Sequence, residues 1–200
     1  MSARNGSWRE SLRCQIENLQ HTADNLDESE VDRAVEMVRR CTGLLIFSGV
    51  GQNLVLADKV ASTFSSLSLR AVSADPVAAL HGGMGLFRPE DLLILISKSG
   101  ETPELLRFLD ACRQVGHSNT LAIHSAPGST LATSCRGAVH VPMVSEADHL
   151  DLAPTASSVC FLGLLQSLAA ELASAAGLSE SAFRRTHPGG TIGLGPVRVR

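Results

Sequence analysis

A continuous apolar run, Leu92-Leu93-Ile94-Leu95-Ile96, ends in the polar turn Ser97-Lys98-Ser99-Gly100-Glu101-Thr102. Such a run predicts a strand buried on both faces of a parallel sheet. Shorter runs of the same kind predict strands at 43–48, 69–73, 119–124 and 138–141. Between them the apolar positions recur at helical spacing: Val55, Leu56, Val60, Phe64 and Leu67, then Leu105–Val115, then a helix from near Ser129. Residues 8–40 read as two helices broken near Leu26. There Asp27 and Glu30 have the spacing of a capping box, and Val31, Ala34, Val35 and Val38 form one apolar face. Leu152–Ala176 is apolar nearly all round, which predicts a buried helix, most easily covered by a second subunit.

Alternating strands and helices with short polar links specify parallel βαβ units with right-handed crossovers. The expected class is α/β: a three-layer, doubly wound sheet of five parallel strands in flavodoxin-like order. Residues 1–40 form a helical segment packed on a domain spanning 41–195, followed by a tail at 196–200. Ligands of such sheets sit at the carboxyl ends of the strands, at the switch point, where the turns 49–53 and 97–102 would meet.

A hydrophobic fraction of 44% with only 4% aromatics suits an aliphatic core around parallel strands. The net charge of −3 and the lack of a basic block argue against nucleic acid. No apolar stretch is expected to reach the ~20 residues that span a bilayer, and the first residues lack the order of a secretion signal. The expected location is cytoplasmic. Five widely spaced cysteines without a Cys-x-x-Cys pair indicate neither a metal site nor a disulfide framework.

The hydroxyls of Ser97, Ser99 and Thr102 crowd at a helix start, where unpaired N–H groups favour an anion. The turn lacks the glycine-rich approach of a P-loop, so a phosphomonoester fits better than a nucleoside triphosphate. The same residues also suit a plain capped helix. Gly49-Val50-Gly51 is half of a dinucleotide fingerprint and equally a close packing of helix on strand. His81 precedes Gly82 and Gly83, which let backbone approach a ligand or simply form a loop. Glu146 follows the fifth strand, and His187 opens His187-Pro188-Gly189-Gly190 with a pKa suited to proton transfer. His21, His117, His124, His140 and His149 have no metal-ligand spacing and read as surface or strand-end residues.

Taken in order, Gly49-Val-Gly51, Leu80-His-Gly82, Ser97-x-Ser-Gly-Glu-Thr102, Glu146 with Leu152-Ala-Pro-Thr155, and His187-Pro-Gly-Gly190 resemble a sugar isomerase (SIS) domain. The similarity runs from about residue 26 to 193 and is strongest to arabinose-5-phosphate isomerases. The resemblance implies interconversion of ribulose 5-phosphate and arabinose 5-phosphate through an enediol(ate), with no cofactor and no metal. It implies a phosphate seat of Ser97, Ser99, Thr102, Gly51, Gln52, Asn53 and Lys98. Glu146 and His187 would be the proton-transferring pair, with His81 near the sugar hydroxyls and Glu101 in the catalytic set. It also implies a homotetramer or homodimer with shared active sites.

Several positions depart from the family pattern. Gln52 stands where relatives carry Lys, Asn53 where they carry Ser, and Gly83 where they carry Asp. The proline and cysteine common after the Glu146 position are replaced around Asp148 and His149. The sequence ends at Arg200, so the expectation is a chain without the paired CBS domains of many relatives. A lost charge-assisted hydrogen bond costs roughly 1.5–3 kcal/mol, which Lys98 could offset. The alternative reading is a catalytically weak SIS module that binds a sugar phosphate as a sensor or regulatory partner.

Overall fold

A computed structural model describes residues 7–193 of the chain. Within them, five parallel strands run β1 (Leu45–Gly49), β2 (Ala71–Ala74), β3 (Leu92–Ser97), β4 (Thr120–His124) and β5 (Gly137–His140), in the order β2-β1-β3-β4-β5. This is the doubly wound order expected from the alternating pattern. The helices are α1 (Trp8–Asn25), α2 (Glu28–Arg40), α3 (Gln52–Ser66), α4 (Pro76–Leu80), α5 (Pro103–Gln114), α6 (Thr130–Ser134), α7 (Ala156–Ala175), α8 (Glu180–Arg185) and α9 (Gly190–Gly193). A 3₁₀ turn, Gly83–Leu86, follows α4.

The sheet has two buried faces because its side chains alternate. Leu92, Ile94 and Ile96 of β3 share a cluster with α2, α3 and α7, whereas Leu93 and Leu95 pack with α4, α5 and α6. Phe47 of β1 meets Phe64 of α3 at 4.9 Å between ring centroids. All six positions of β3 are buried, as its unbroken apolar run requires. At the carboxyl edge, Gly49 lies level with Ile96, and Ser97 with His124. The turns after β1, β3 and β4 therefore open onto one rim.

Several expectations are corrected. The helix break falls at Leu26, with Asp27 as N-cap, but Asp27 bonds the Ser29 N–H and Glu30 closes no box there. Glu30 instead accepts the His140 N–H at 2.7 Å, tying α2 to the edge of β5. A capping box does form one helix earlier, between Ser7 and Glu10. The long apolar helix is shorter than expected, and its own chain covers it: α1, α2 and α3 pack along α7, burying Phe161, Leu165 and Leu168. α7 is also long and apolar enough to cross a membrane by length and composition, contrary to expectation, yet it is a core helix here. Its apolar residues face protein on more than one side because it lies between helices and sheet.

The exposed apolar stripe lies instead on α1, at Trp8, Leu12, Ile16 and Leu19. The buried face of α1 is polar: Asn18 accepts the Val144 N–H at 2.8 Å, and Thr22 donates to the Pro142 carbonyl at 2.7 Å. His124 and His117 are buried, the latter edge-on against Phe87 at 5.9 Å, so neither is a surface residue; His124 does end β4. The five cysteines are free thiols, and burial pushes Cys112 up to about 12, leaving it inert. The tail expected at 196–200 lies outside the described residues.

At Gly49 a Cβ would come within 2.8 Å of the Asn53 backbone, so α3 can start this close to β1 only with glycine there. Gly49→Ala is expected to cost roughly 1–3 kcal/mol of stability through overpacking. Urea denaturation at neutral pH measures this, and an unchanged midpoint would show that the turn yields without strain.

Candidate functional site

Helix N-termini leave backbone N–H groups unpaired, and a side-chain cap is the usual remedy. α1, α2, α4, α6 and α8 have one, from Ser7, Asp27, Asp75, Ser129 and Ser179. α3 and α5 do not. Both follow central strands, β1 and β3, on either side of the switch point. Their N-terminal residues Asn53 and Thr102 border the same cavity of about 560 Å³. Where the fold would place a ligand, it leaves two helix starts without a side-chain cap.

The turn after β3 shapes the cavity floor. Gly100 has φ +64, and a Cβ there would collide with the Ser129 side chain. That kink returns the chain so that the Ser97 and Thr102 hydroxyls share a hydrogen bond of 2.9 Å, and Ser97 Oγ also accepts the Gly100 N–H. Thr102 sits at the N-cap of α5 with its hydroxyl turned toward Ser97, which is why α5 stays uncapped. Ser99 Oγ accepts the Glu101 N–H at 3.2 Å. Ser97, Ser99 and Thr102 all line the cavity. Opposite them Gly51, at φ +60, is the N-cap of α3; Gln52 is exposed, and only Asn53 of this trio lines the cavity.

Among the described residues, Lys98 is the one cation on the cavity wall. Its ammonium donates to Glu146 Oε1 at 2.7 Å, while its side chain keeps 43% of its surface exposed. Glu146 is fully buried, at 0%. Its second oxygen accepts the N–H groups of Thr155 at 2.9 Å and Ser157 at 3.1 Å, the entry to α7. Glu146 thus caps α7 from outside, since Thr155 provides no side-chain cap of its own. Burial pushes the Glu146 carboxyl up, but hydrogen bonds from Lys98 and Ser157 and the charge of Lys98 outweigh it and hold the group below the ordinary carboxylate value.

The other expected residues lie apart from this wall. Glu101 accepts the Thr130 N–H at 2.7 Å, and this bond holds its carboxyl below the usual range; it braces the start of α6. His81 is the exposed C-cap of α4 and does not line the cavity. His187 bonds Ser66 at 2.8 Å, at the far end of α3, and its other nitrogen meets the Phe183 carbonyl. Ser66 is thirteen residues along α3 from Asn53, roughly 20 Å at helical rise. Within one chain His187 therefore serves the opposite end of the sheet.

Sequence reading missed other parts of the wall. Ser125, first after β4, lines the cavity, and its hydroxyl is buried without a partner among the described residues, as is the adjacent His124 Nδ1. Burial and the neighbouring His140 push the His124 imidazole down, so it is neutral near pH 7. The position of Ser125 one residue past a central strand was the available signal. Asp151 accepts the Glu146 N–H at 2.5 Å, and Asp148 gathers the N–H groups of Leu150, Leu152 and Ala153. These bonds shape a loop that sequence reasoning saw only as a departure. Among the described residues no cluster of His, Cys, Asp or Glu could hold a metal ion.

A family model described as "SIS domain" matches residues 40–171. Arabinose 5-phosphate isomerase KpsF of Escherichia coli O6:H1 is 32% identical over 187 residues, 94% of this chain and 57% of that protein. A probable arabinose 5-phosphate isomerase of Haemophilus influenzae is 29% identical over 82% of this chain and 48% of its own length. The chain thus spans about half the length of the curated relatives it matches. Among solved structures, an E. coli CFT073 protein in complex with arabinose 5-phosphate has a TM-score of 0.86 and 30% identity, covering 90% of this chain and 95% of that one.

A carboxylate held below its ordinary value of 4.5 contributes stability that is present above that value and lost as pH falls through the folded one. Glu146→Gln is expected to lower stability at pH 7 by about 1–3 kcal/mol, because two α7 N–H groups lose a charged acceptor. It should also flatten the fall in stability below pH 5. Urea midpoints from pH 7 to pH 3 test both; parallel curves for the two proteins would remove Glu146 from the acid response.

Proposed function

The chain belongs to the SIS domain family, whose model covers residues 40–171, and from that premise we propose that it is a phosphosugar aldose–ketose isomerase. Its proposed reaction interconverts ribulose 5-phosphate and arabinose 5-phosphate. The observation that carries this reading is the pair of helix N-termini without side-chain caps, α3 and α5, facing one cavity lined by five hydroxyl side chains and a lysine. Two helix starts without side-chain caps, their dipoles and an ammonium together suit a phosphate dianion. Ser97, Ser99, Thr102, Asn53 and Lys98 would hold it, with Gly51 and Gln52 at the mouth. The sugar phosphate bound by a solved relative is consistent with this ligand class.

In the isomerisation, a base removes the proton from the carbon next to the carbonyl. The electron pair of that C–H bond forms the C=C bond of an enediolate and the former carbonyl oxygen takes up a proton; the hydroxyl on the deprotonated carbon then gives up its own proton as it becomes the new carbonyl, and the C=C electron pair takes a proton at the former carbonyl carbon. We assign the proton transfers to Glu146 and His187, and contact with the sugar hydroxyls to His81. Glu101, engaged with Thr130, acts by fixing the cradle. Because His187 lies at the far end of α3 from its own cavity, it would act on a neighbouring subunit's substrate. The exposed stripe of Trp8, Leu12, Ile16 and Leu19 is the surface we assign to such an assembly.

One observation favours the sensor alternative: Glu146 is buried, ion-paired and weakened as a base. Incubation with ribulose 5-phosphate in D₂O separates the two readings. The isomerase incorporates deuterium at the reacting carbon, whereas saturable binding without exchange supports the sensor. Ser97→Ala is expected to raise KM about tenfold with little change in the folded fraction. Mixing inactive Glu146→Gln and His187→Ala subunits should restore part of the activity if sites are shared. No recovery on mixing, with each variant folded, would confine each site to one chain.

A further inference from the structure

Lys98 stands between two acceptors. Its backbone lies inside the hydroxyl cradle, between Ser97 and Ser99, and its side chain borders the cavity while its ammonium reaches Glu146 Oε1. An ammonium has three donors, and the half-exposed Lys98 directs one of them to Glu146. A phosphate dianion seated on the cradle would lie within reach of the same group and carry about twice the charge of the carboxylate. Building on the functional reading above, we propose that ligand occupation of the cradle draws Lys98 off Glu146, so that the arriving phosphate itself turns the buried carboxylate into a base.

The surroundings of Glu146 permit such a release. When Lys98 swings away, Glu146 keeps the Thr155 and Ser157 N–H groups at 2.9 and 3.1 Å, and the Thr155 hydroxyl at 3.4 Å. All three reach Oε2, so the move gives up the Lys98 bond at Oε1 while the carboxylate keeps its hydrogen bonds at the other oxygen, a smaller cost than stranding the whole group. What it loses is the full positive charge that favours its ionised form. Other described groups lie around it. Asp151, on the same loop, accepts the Glu146 N–H and adds negative charge. Cys14 of α1 donates to the Glu146 carbonyl at 3.6 Å, and burial pushes the thiol of Cys160 in α7 up, so Cys160 brings no charge to the site. Asp148 is spent on loop N–H groups. Lys98 thus places a cation in direct hydrogen-bond contact with the carboxylate, and moving it removes that charge from the site. Coupling of this kind is reciprocal, so a protonated Glu146 also leaves Lys98 freer for the anion.

Sulfate is the probe, because its charge does not change across the carboxylate range. The titration of Glu146 is followed by carboxyl ¹³C NMR on protein labelled at glutamate, its signal identified by its loss in Glu146→Gln. Saturating sulfate, against chloride at equal ionic strength, is expected to move the Glu146 midpoint upward. In Lys98→Met the midpoint should already lie higher without sulfate, sulfate should no longer move it, and sulfate affinity should fall about tenfold. Lys98→Arg should restore the affinity. Saturable sulfate binding with an unmoved Glu146 overturns the release while leaving the phosphate seat intact. Absence of saturable sulfate binding overturns the seat and the release together. Should Lys98→Met fail to fold, the wild-type comparison alone decides.

Discussion

A carboxylate with no exposed surface is the constraint on which this molecule turns. A buried charge is tolerated only when its oxygens are fully engaged, and Glu146 meets that demand from two directions. Lys98 of the turn after β3 holds one oxygen, and the entry to α7 holds the other. One side chain thereby ties the hydroxyl cradle, the loop after β5 and a 20-residue core helix into a single geometry. The loop is fastened further by Asn18 and Thr22 of α1, polar residues buried where an amphipathic helix would ordinarily be apolar. The polarity of that face follows from the backbone groups of the loop, which need partners once α1 covers them.

The sheet was legible in the sequence because its strands are buried on both faces. An unbroken run such as Leu92–Ile96 has no other cheap home, and the rhythm of the elements leaves few topologies. Features set by long-range contacts were not legible. Asp27 and Glu30 have the spacing of a capping box, but a backbone donor at the edge of β5, some 110 residues away in the chain, takes the glutamate instead. The all-round apolarity of α7 reads the same whether a subunit or the chain's own helices cover it. Only the fold shows that α1, α2 and α3 do so and that the uncovered stripe sits on α1.

For the site, the hydroxyl turn could be read because its residues are contiguous and adopt a local conformation. Ser125, Asp151 and the capping of α7 by Glu146 could not, since each depends on loops brought together from separate strands. His187 is the sharpest case. Its motif stands out in the sequence, yet its ring is bonded to Ser66 at the amino edge of the sheet, away from the cavity. A conspicuous motif does not say where the fold will place it.

The missing caps on α3 and α5 carry a thermodynamic consequence. A good N-cap is worth about 0.5–2 kcal/mol, and this chain supplies one at most of its described helices while omitting it at the two beside the cavity. Without an anion the protein is therefore less robust than its own sequence grammar would allow. Resistance to heat and protease should thus rise wherever an anion settles on this rim, because a ligand that binds only the folded state stabilises it.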